Sequence, residues 1–392
     1  MTEASLKPGW RKWRFEQIAT NVNERIDNPS ESDLEYYVGL EHIDSDSLKL
    51  RRWGSPSDVE STKLIFHKGD IIFGKRRVYQ RKVAVAEFDG ICSAHALVLR
   101  AKPEVILPEF LPFFMQSDLF MERAKAISVG SLSPTINWKT LAKEEFVLPS
   151  IDDQKIVAKR LALVDQALYA CEDCIEHSRS IIRSFLLREL PPIHENASHW
   201  PIVRLGEIIR VIDPNPSHRY PDYLDDGVPL VATQDFKEED DYCFDRCRRV
   251  SSKVFFEQKE RCKFTSEDVI FARKGILGFA RMYGESEKAF SHTVVVLKPK
   301  KKNILARYVL WLCRSDSLMA EINKKMNSNS GVPTLGVKTI ENLRVWLPPE
   351  EEQLRIVRYL DSVNKAKESF KARIWKSRIL KARILMFEEK TV

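Results

Sequence analysis

The feature that most constrains this chain is a long helical pattern that occurs twice, 199 residues apart. In the first copy Val157, Leu161, Val164, Leu168, Cys171, Ile175, Ser178, Ile182 and Phe185 recur at alternating steps of three and four. The second copy reads Ile356, Leu360, Val363, Lys367, Phe370, Ile374, Ser377, Lys381 and Ile384. A 3-4 alternation held over about four heptads is the seam of a coiled coil. Neither Gly nor Pro interrupts either run. The pattern predicts helices over 152–190 and from 351 onward, each about 55–60 Å long. The residues expected to pair them are Leu161, Val164, Leu168, Ile175 and Ile182 on one, and Leu360, Val363, Phe370, Ile374 and Ile384 on the other.

The repeat continues upstream. At the same offset Pro134 meets Pro333, Lys139 meets Lys338, Leu148-Pro149 meets Leu347-Pro348, and Gln154 meets Gln353. Further back, Ser117-Asp118 pairs with Ser315-Asp316, and "KGDIIFGKR" (68–76) with "SEDVIFARK" (266–274). Trp10-x3-Arg14-Phe15-x2-Ile18 pairs with Trp200-x3-Arg204-Leu205-x2-Ile208. A period near 195 residues is too long for a solenoid. It is a tandem duplication of one globular domain followed by one helix. The fold class is mixed α/β (α+β), with domains at 1–150 and 200–349, helices at 151–190 and 350–392, and a linker at 191–199. Two domain–helix units let the helices pack antiparallel, which gives pseudo-twofold symmetry.

At 392 residues the chain is long enough for two cores. No apolar stretch approaches the ~18 residues of a membrane span, so no membrane partner is expected. The N-terminus lacks an apolar signal core, and the expected location is cytoplasmic. The seven cysteines have no framework or zinc spacing, so no metal is expected.

Within each domain, short apolar runs read as strands: 69–74, 82–88, 95–101 and 145–149 in the first, and 267–273, 278–283, 292–299 and 343–348 in the second. Residues 35–43 read as a β-rich run. Residues 108–127 and 306–326 each read as one helix. Residues 128–137 and 327–336 read as loops.

The net charge of +7 matters less than its distribution. Residues 63–82 hold seven Lys/Arg against one acid, and 246–281 hold ten against four. These are corresponding regions, so each half should carry its own basic surface. In the first, Lys75, Arg76, Arg77, Arg81 and Lys82 surround Tyr79 and Gln80. Arg can grip phosphate or read guanine, and Gln can read adenine. In the second, Arg273, Lys274 and Arg281 accompany two glycines that permit close backbone approach. The loops before each Pro-Thr add Ser133, Thr135, Asn329 and Thr334, whose hydroxyl and amide groups suit phosphates. His95 and His292 align at the heads of apolar strands and read as structural.

No catalytic motif is present. "DPNP" (213–216) lacks the aromatic residue of an amino-methyltransferase loop, and there is no phosphate loop or nucleophile elbow. A binding and scaffolding role follows.

Taken together, the order domain–helix–domain–helix, the repeated Trp-x3-Arg opening, "KGDIIFGKRR" and the twice-written Leu-Pro…Gln helix entry resemble the specificity subunits of type I restriction–modification systems. The resemblance covers essentially the full length. It implies two target-recognition domains, each reading one half of a split double-stranded DNA site, and helices that space them. It implies two methyltransferase subunits docked on those helices and restriction/translocase subunits beyond them. S-adenosylmethionine, ATP and Mg would then belong to partner subunits, and this chain would carry no cofactor and no catalysis. The alternatives are a stand-alone DNA-modifying enzyme and a coiled-coil adaptor without a DNA role.

Overall fold

Gln154 and Gln353 show what the repeated residues do. Each is buried at the entrance of a long helix. The Gln154 amide donates to the carbonyls of Val105 and Pro149 and accepts from Leu107 N–H. Gln353 does the same with Asn303, Pro348 and Leu305. A buried amide must find such partners, and these fasten each helix to its own domain. The structure, a computed structural model, describes residues 6–195, 198–217, 221–237, 240–326 and 332–386.

The chain divides into two units, 1–172 with 372–392, and 173–371. In the first, strand Arg11–Arg14 pairs antiparallel with Glu145–Leu148. A four-stranded sheet runs in the order Ala19–Val22, Ala96–Ala101, Ile71–Gly74, Val83–Val85. A second sheet holds Arg25–Ile26, Lys63–Phe66, Gly90–Cys92 and Tyr37–Val38, the last pair parallel. The second unit repeats this plan. Ile202–Arg204 pairs with Arg344–Trp346, and its four-stranded sheet is Ile209–Ile212, Val294–Pro299, Val269–Ala272, Ala280–Met282. Its other sheet has Arg248–Val250, Val228–Val231 and Ala289–Phe290.

The core of the first unit is aromatic. Phe15, Phe114, Phe120 and Phe146 are all buried, with ring centroids 5.3–5.8 Å apart. Burying each such ring stabilises the fold by about 1.5–3 kcal/mol. The second unit centres on Tyr308, Trp311 and Trp346. There Tyr308 and Trp346 satisfy their polar tips on the carbonyls of Trp346 and Pro191.

Three expectations are corrected. Residues 108–127 and 306–326 do not form single helices. They form Leu111–Gln116 with Asp118–Ala126, and Ala306–Cys313 with Asp316–Lys325. The cause is the repeated serine. Ser117 Oγ donates to Phe114 O and accepts from Phe120 N–H, so it ends one helix and caps the next; Ser315 repeats this with Leu312 and Leu318. Local side-chain bonds of this kind compete with the helix ladder. The β-rich run at 35–43 is a two-residue strand followed by a 3-10 turn at Leu40–His42. An unexpected helix, Ser252–Cys262, joins the second unit.

The long helices span Ile151–Glu189 and Glu350–Leu385. Acids in each first turn suit the positive end of the dipole. Within the first unit Asp165 meets Lys381 at 2.6 Å and Glu172 meets Arg378 at 3.4 Å. Within the second, Phe185 stacks on Tyr359 at 4.2 Å and Glu189 meets Arg355. Numbers rise on one helix as they fall on the other, so the pairing is antiparallel in each unit. Leu161, Leu168, Ile175 and Leu360 are buried; Val164, Ile182, Val363, Phe370, Ile374 and Ile384 are half-buried. The seam is less apolar than a plain heptad reading implies, because Asn364, Lys367 and Lys381 are buried in it.

Candidate nucleic-acid interface

In the first unit, strand Ile71–Gly74 leaves the sheet and returns as Val83–Val85. Residues 75–82 between them form the loop. Two non-glycine residues, Arg77 and Arg81, sit in the left-handed region at φ 57° and 52° and flank the 3-10 turn Val78–Gln80. The loop is fastened to 128–137: Arg77 N–H donates to Pro134 O at 2.7 Å, Ile136 N–H to Lys75 O, and Arg76 bridges Thr135. Arg76 reaches Ser133 Oγ at 3.3 Å and His95 Nε2 at 3.2 Å, and Arg77 Nε reaches the same Ser133 oxygen. The structure therefore brings Arg76, Arg77, Ser133 and Thr135 together. Burial first, then Arg76 and Lys75, hold the His95 pKa below its ordinary value. That neutral ring keeps an acceptor for the guanidinium.

Tyr79 stands out from the loop, 53% exposed, with Gln80 half-buried beside it. Arg81 turns inward to Asp46 at 2.6 Å, Asp118 at 2.8 Å and the Gln116 carbonyl. Lys82 donates to Leu40 O at 2.5 Å. These two brace the loop and are not the open cations expected of a uniform basic face. Beside Lys75 lies a polar cleft of about 580 Å³ lined by Arg25, Lys63, Lys139, Asn21, Asn23 and Asn137. Burial, with Arg25 adding to it, lowers the pKa of Lys75. The sequence reading missed this set because four separate segments build it, each carrying one to three polar residues of no distinct spacing. The nearest signal was the Asn137–Lys139 pair beside the shared Pro-Thr.

The second unit builds the same joint with different side chains. Lys274 bridges Thr334, Gly275 N–H donates to Pro333 O at 3.0 Å, and Leu335 N–H donates to Arg273 O. Lys274 is half-buried and Thr334 exposed. The neighbours on show are apolar: Ile276 51%, Phe279 50% and Val332 48% exposed. Arg273 is not on the surface. It is 5% exposed, donates to His292 O at 3.0 Å and pairs with Asp213 at 2.9 Å. Asp213 opens the "DPNP" stretch, which thereby holds a structural counter-ion. Arg281 is also buried, at 6% exposed. An expected basic surface over Arg273 and Arg281 is thus corrected: Arg273 packs inside with its counter-ion Asp213, and Arg281 packs inside against the Lys237 carbonyl. Asn329 lies outside the described residues. Among the described residues no group of three or more His, Cys, Asp or Glu is placed to hold a metal, and no helix is long and apolar enough to cross a membrane.

A duplicated α+β scaffold, a paired helix in each unit and one loop joint per unit define a class of two-unit protein in which the same joint is built twice with different side chains. The family model described as type I restriction modification DNA specificity domain matches residues 57–173 and 197–375, and the chain belongs to that family. The type I restriction enzyme EcoDI specificity subunit of Escherichia coli is 28% identical over 174 residues, covering 44% of this chain and 37% of that relative. The StySPI specificity subunit of Salmonella potsdam is 20% identical over 400 residues, covering 93% and 84%. The match to the first thus spans little more than a third of its length. In fold, the chain is similar to the type I restriction–modification S subunit from M. genitalium, with a TM-score of 0.64, 15% identity and coverage of 100% and 99%.

Proposed function

We propose that this chain is the DNA-reading specificity subunit of a type I restriction–modification complex. Each unit sets its loop joint against one half of a split double-stranded site. Lys75, Arg76 and Arg77 in the first unit and Lys274 in the second hold phosphates or base edges, with Ser133, Thr135 and Thr334 beside them. The outer faces of the long helices take two methyltransferase subunits, and restriction/translocase subunits join through these. S-adenosylmethionine, ATP and Mg, and with them all catalysis, belong to those partners. The observation that carries this reading is the same backbone joint in both units, Arg76 to Thr135 and Lys274 to Thr334, clothed in different side chains. One backbone with two sets of contacts suits two half-sites of different sequence. The test is to map methylated adenines in a host carrying this chain with its methyltransferase partner. A split motif is expected. Methylation by the purified chain alone, or an unsplit motif, would reject the proposal.

A further inference from the structure

The geometry points to a binding site for a nucleotide, a flat ring bearing a phosphate, in the second unit, between its helix pair and the back of the hairpin that carries Lys274. The cleft there measures about 580 Å³, within the range of small-molecule sites. Its lining cations are Arg179, Arg183, Lys237, Arg281, Arg314 and Lys367, and its lining acid is Asp316. Arg179 is paired with Glu176, Arg183 with Asp316 and Arg314 with Asp240.

Arg281 is placed differently. It is 94% buried, and its Nε has no hydrogen-bond partner. Another of its nitrogens donates to Lys237 O, and the guanidinium lies 5.1 Å from the Phe236 ring centre. A buried donor left unmet is costly; Nε itself is closed to solvent, so contact with a phosphate oxygen, a strong acceptor, falls to the part of the Arg281 side chain that lines the cleft. Burial first, and Arg314 next, work against the charge on Arg281, while Asp240 and Asp241 favour it; an anion would favour it further. Phe279, half exposed on the same wall, offers a ring face for stacking.

The corresponding cleft of the first unit lacks this character. It holds Asp44, Asp46, Asp118, Asp165 and Glu172 against four cations. Those cations are taken: Arg81 by Asp46 and Asp118, Lys381 by Asp165, and Arg51 and Arg378 by Glu172. Among the described residues, the second unit differs in its single lining acid against five in the first and in Arg281, which meets no carboxylate.

Its wall is also part of the loop joint. Leu277–Ala280 lines the cleft three residues beyond Lys274. Gly275 and Gly278 both have φ +82°, and a Cβ at Gly278 would stand 2.4 Å from Met319 Sδ. An occupant would fix this wall and so the position of Lys274. That last step rests on the DNA-reading role proposed above.

The experiment is calorimetric titration of the full chain with AMP, with inorganic phosphate and with a single-stranded oligonucleotide, and DNA affinity measured on the same samples. AMP should bind at one site per chain and phosphate at least tenfold more weakly. F279A should weaken AMP roughly tenfold, as loss of one stacked base does, and R281M should abolish it. R378M, in the other cleft, should leave it unchanged. If the oligonucleotide displaces AMP, the ring and phosphate come from a DNA strand; if it does not, from a free nucleotide. Phe279 is exposed, so F279A decides the matter should R281M misfold. No AMP binding at about 1 mM, or binding indifferent to both substitutions, overturns the site. Intact DNA binding with no AMP binding sinks this inference alone; AMP binding with no DNA affinity at any salt sinks the DNA-reading role instead.

Discussion

Arg76 and Arg77 share one serine hydroxyl, so the two guanidiniums are held side by side on the first loop. Phosphate contacts release counterions, and log affinity then falls linearly with log salt. R76A/R77A should weaken DNA binding and flatten that slope by roughly one unit per lost contact. Anisotropy titrations at several salt concentrations check this; an unchanged affinity and slope would make the pair a solvated face. Leu132, at 90% exposed on the adjoining loop, gives the contrasting case. L132S should cost about 1 kcal/mol of binding through lost apolar contact and leave the salt slope as it was, since no charge is removed. Glu321 offers a test in acid. Its side chain is 2% exposed and bound at 2.9 Å by Arg344, which holds its pKa below the ordinary 4.5. A depressed acid stabilises the fold above its unfolded pKa, and the contribution is lost as pH falls through the folded one. E321Q should therefore lower the urea midpoint at pH 7, by roughly 1–2 kcal/mol in stability, and narrow the gap between wild type and variant in acid. A constant gap would show that Arg344 is not the cause. At this scale the sequence was partly legible. The charge runs located both loops, but Arg273, Arg281 and Arg81 face inward because Asp213, Lys237 O and Asp46, all distant in sequence, meet them. Periodicity carries no record of such partners.

Among the elements, both long helices start within a residue of where the uninterrupted 3-4 pattern places them and the first ends within one, whereas the second, read to 392, ends at Leu385. The shorter helices are not so placed, since the apolar runs at 108–127 and 306–326 hide a serine that bonds its own backbone. The helix pair carries its own test in Asp165 and Lys381, whose side chains are 6% and 9% exposed. Burial raises the Asp165 pKa, and Lys381 works against that rise. Removing one partner strands the other: K381A should destabilise the protein by about 3–5 kcal/mol. D165L/K381M should recover most of that loss, because a packed apolar pair replaces two desolvated charges. Chemical denaturation of the three proteins measures it. A double variant as unstable as the single one would mean the pair is held by packing around it and not by mutual charge.

For the whole molecule, a duplicated scaffold implies duplicated docking. Native mass spectrometry of the co-expressed proteins should find two methyltransferase subunits per chain, and a complex saturating at one would contradict the proposed role. The division of the chain has a further consequence, for the order of events at the ribosome. The second unit is one continuous stretch, 173–371, whereas the first needs residues 372–392 as well. Those residues bring Lys381 to Asp165 and set Ile384 and Leu385 against the aromatic core. Synthesis runs from the N-terminus, so the unit that begins first closes last. Until residues 372–392 emerge, Asp165 waits without its counter-ion beside an uncovered apolar strip. A nascent chain arrested with residue 371 just clear of the ribosome should thus present a finished second unit and an open first one to the cell's proteases.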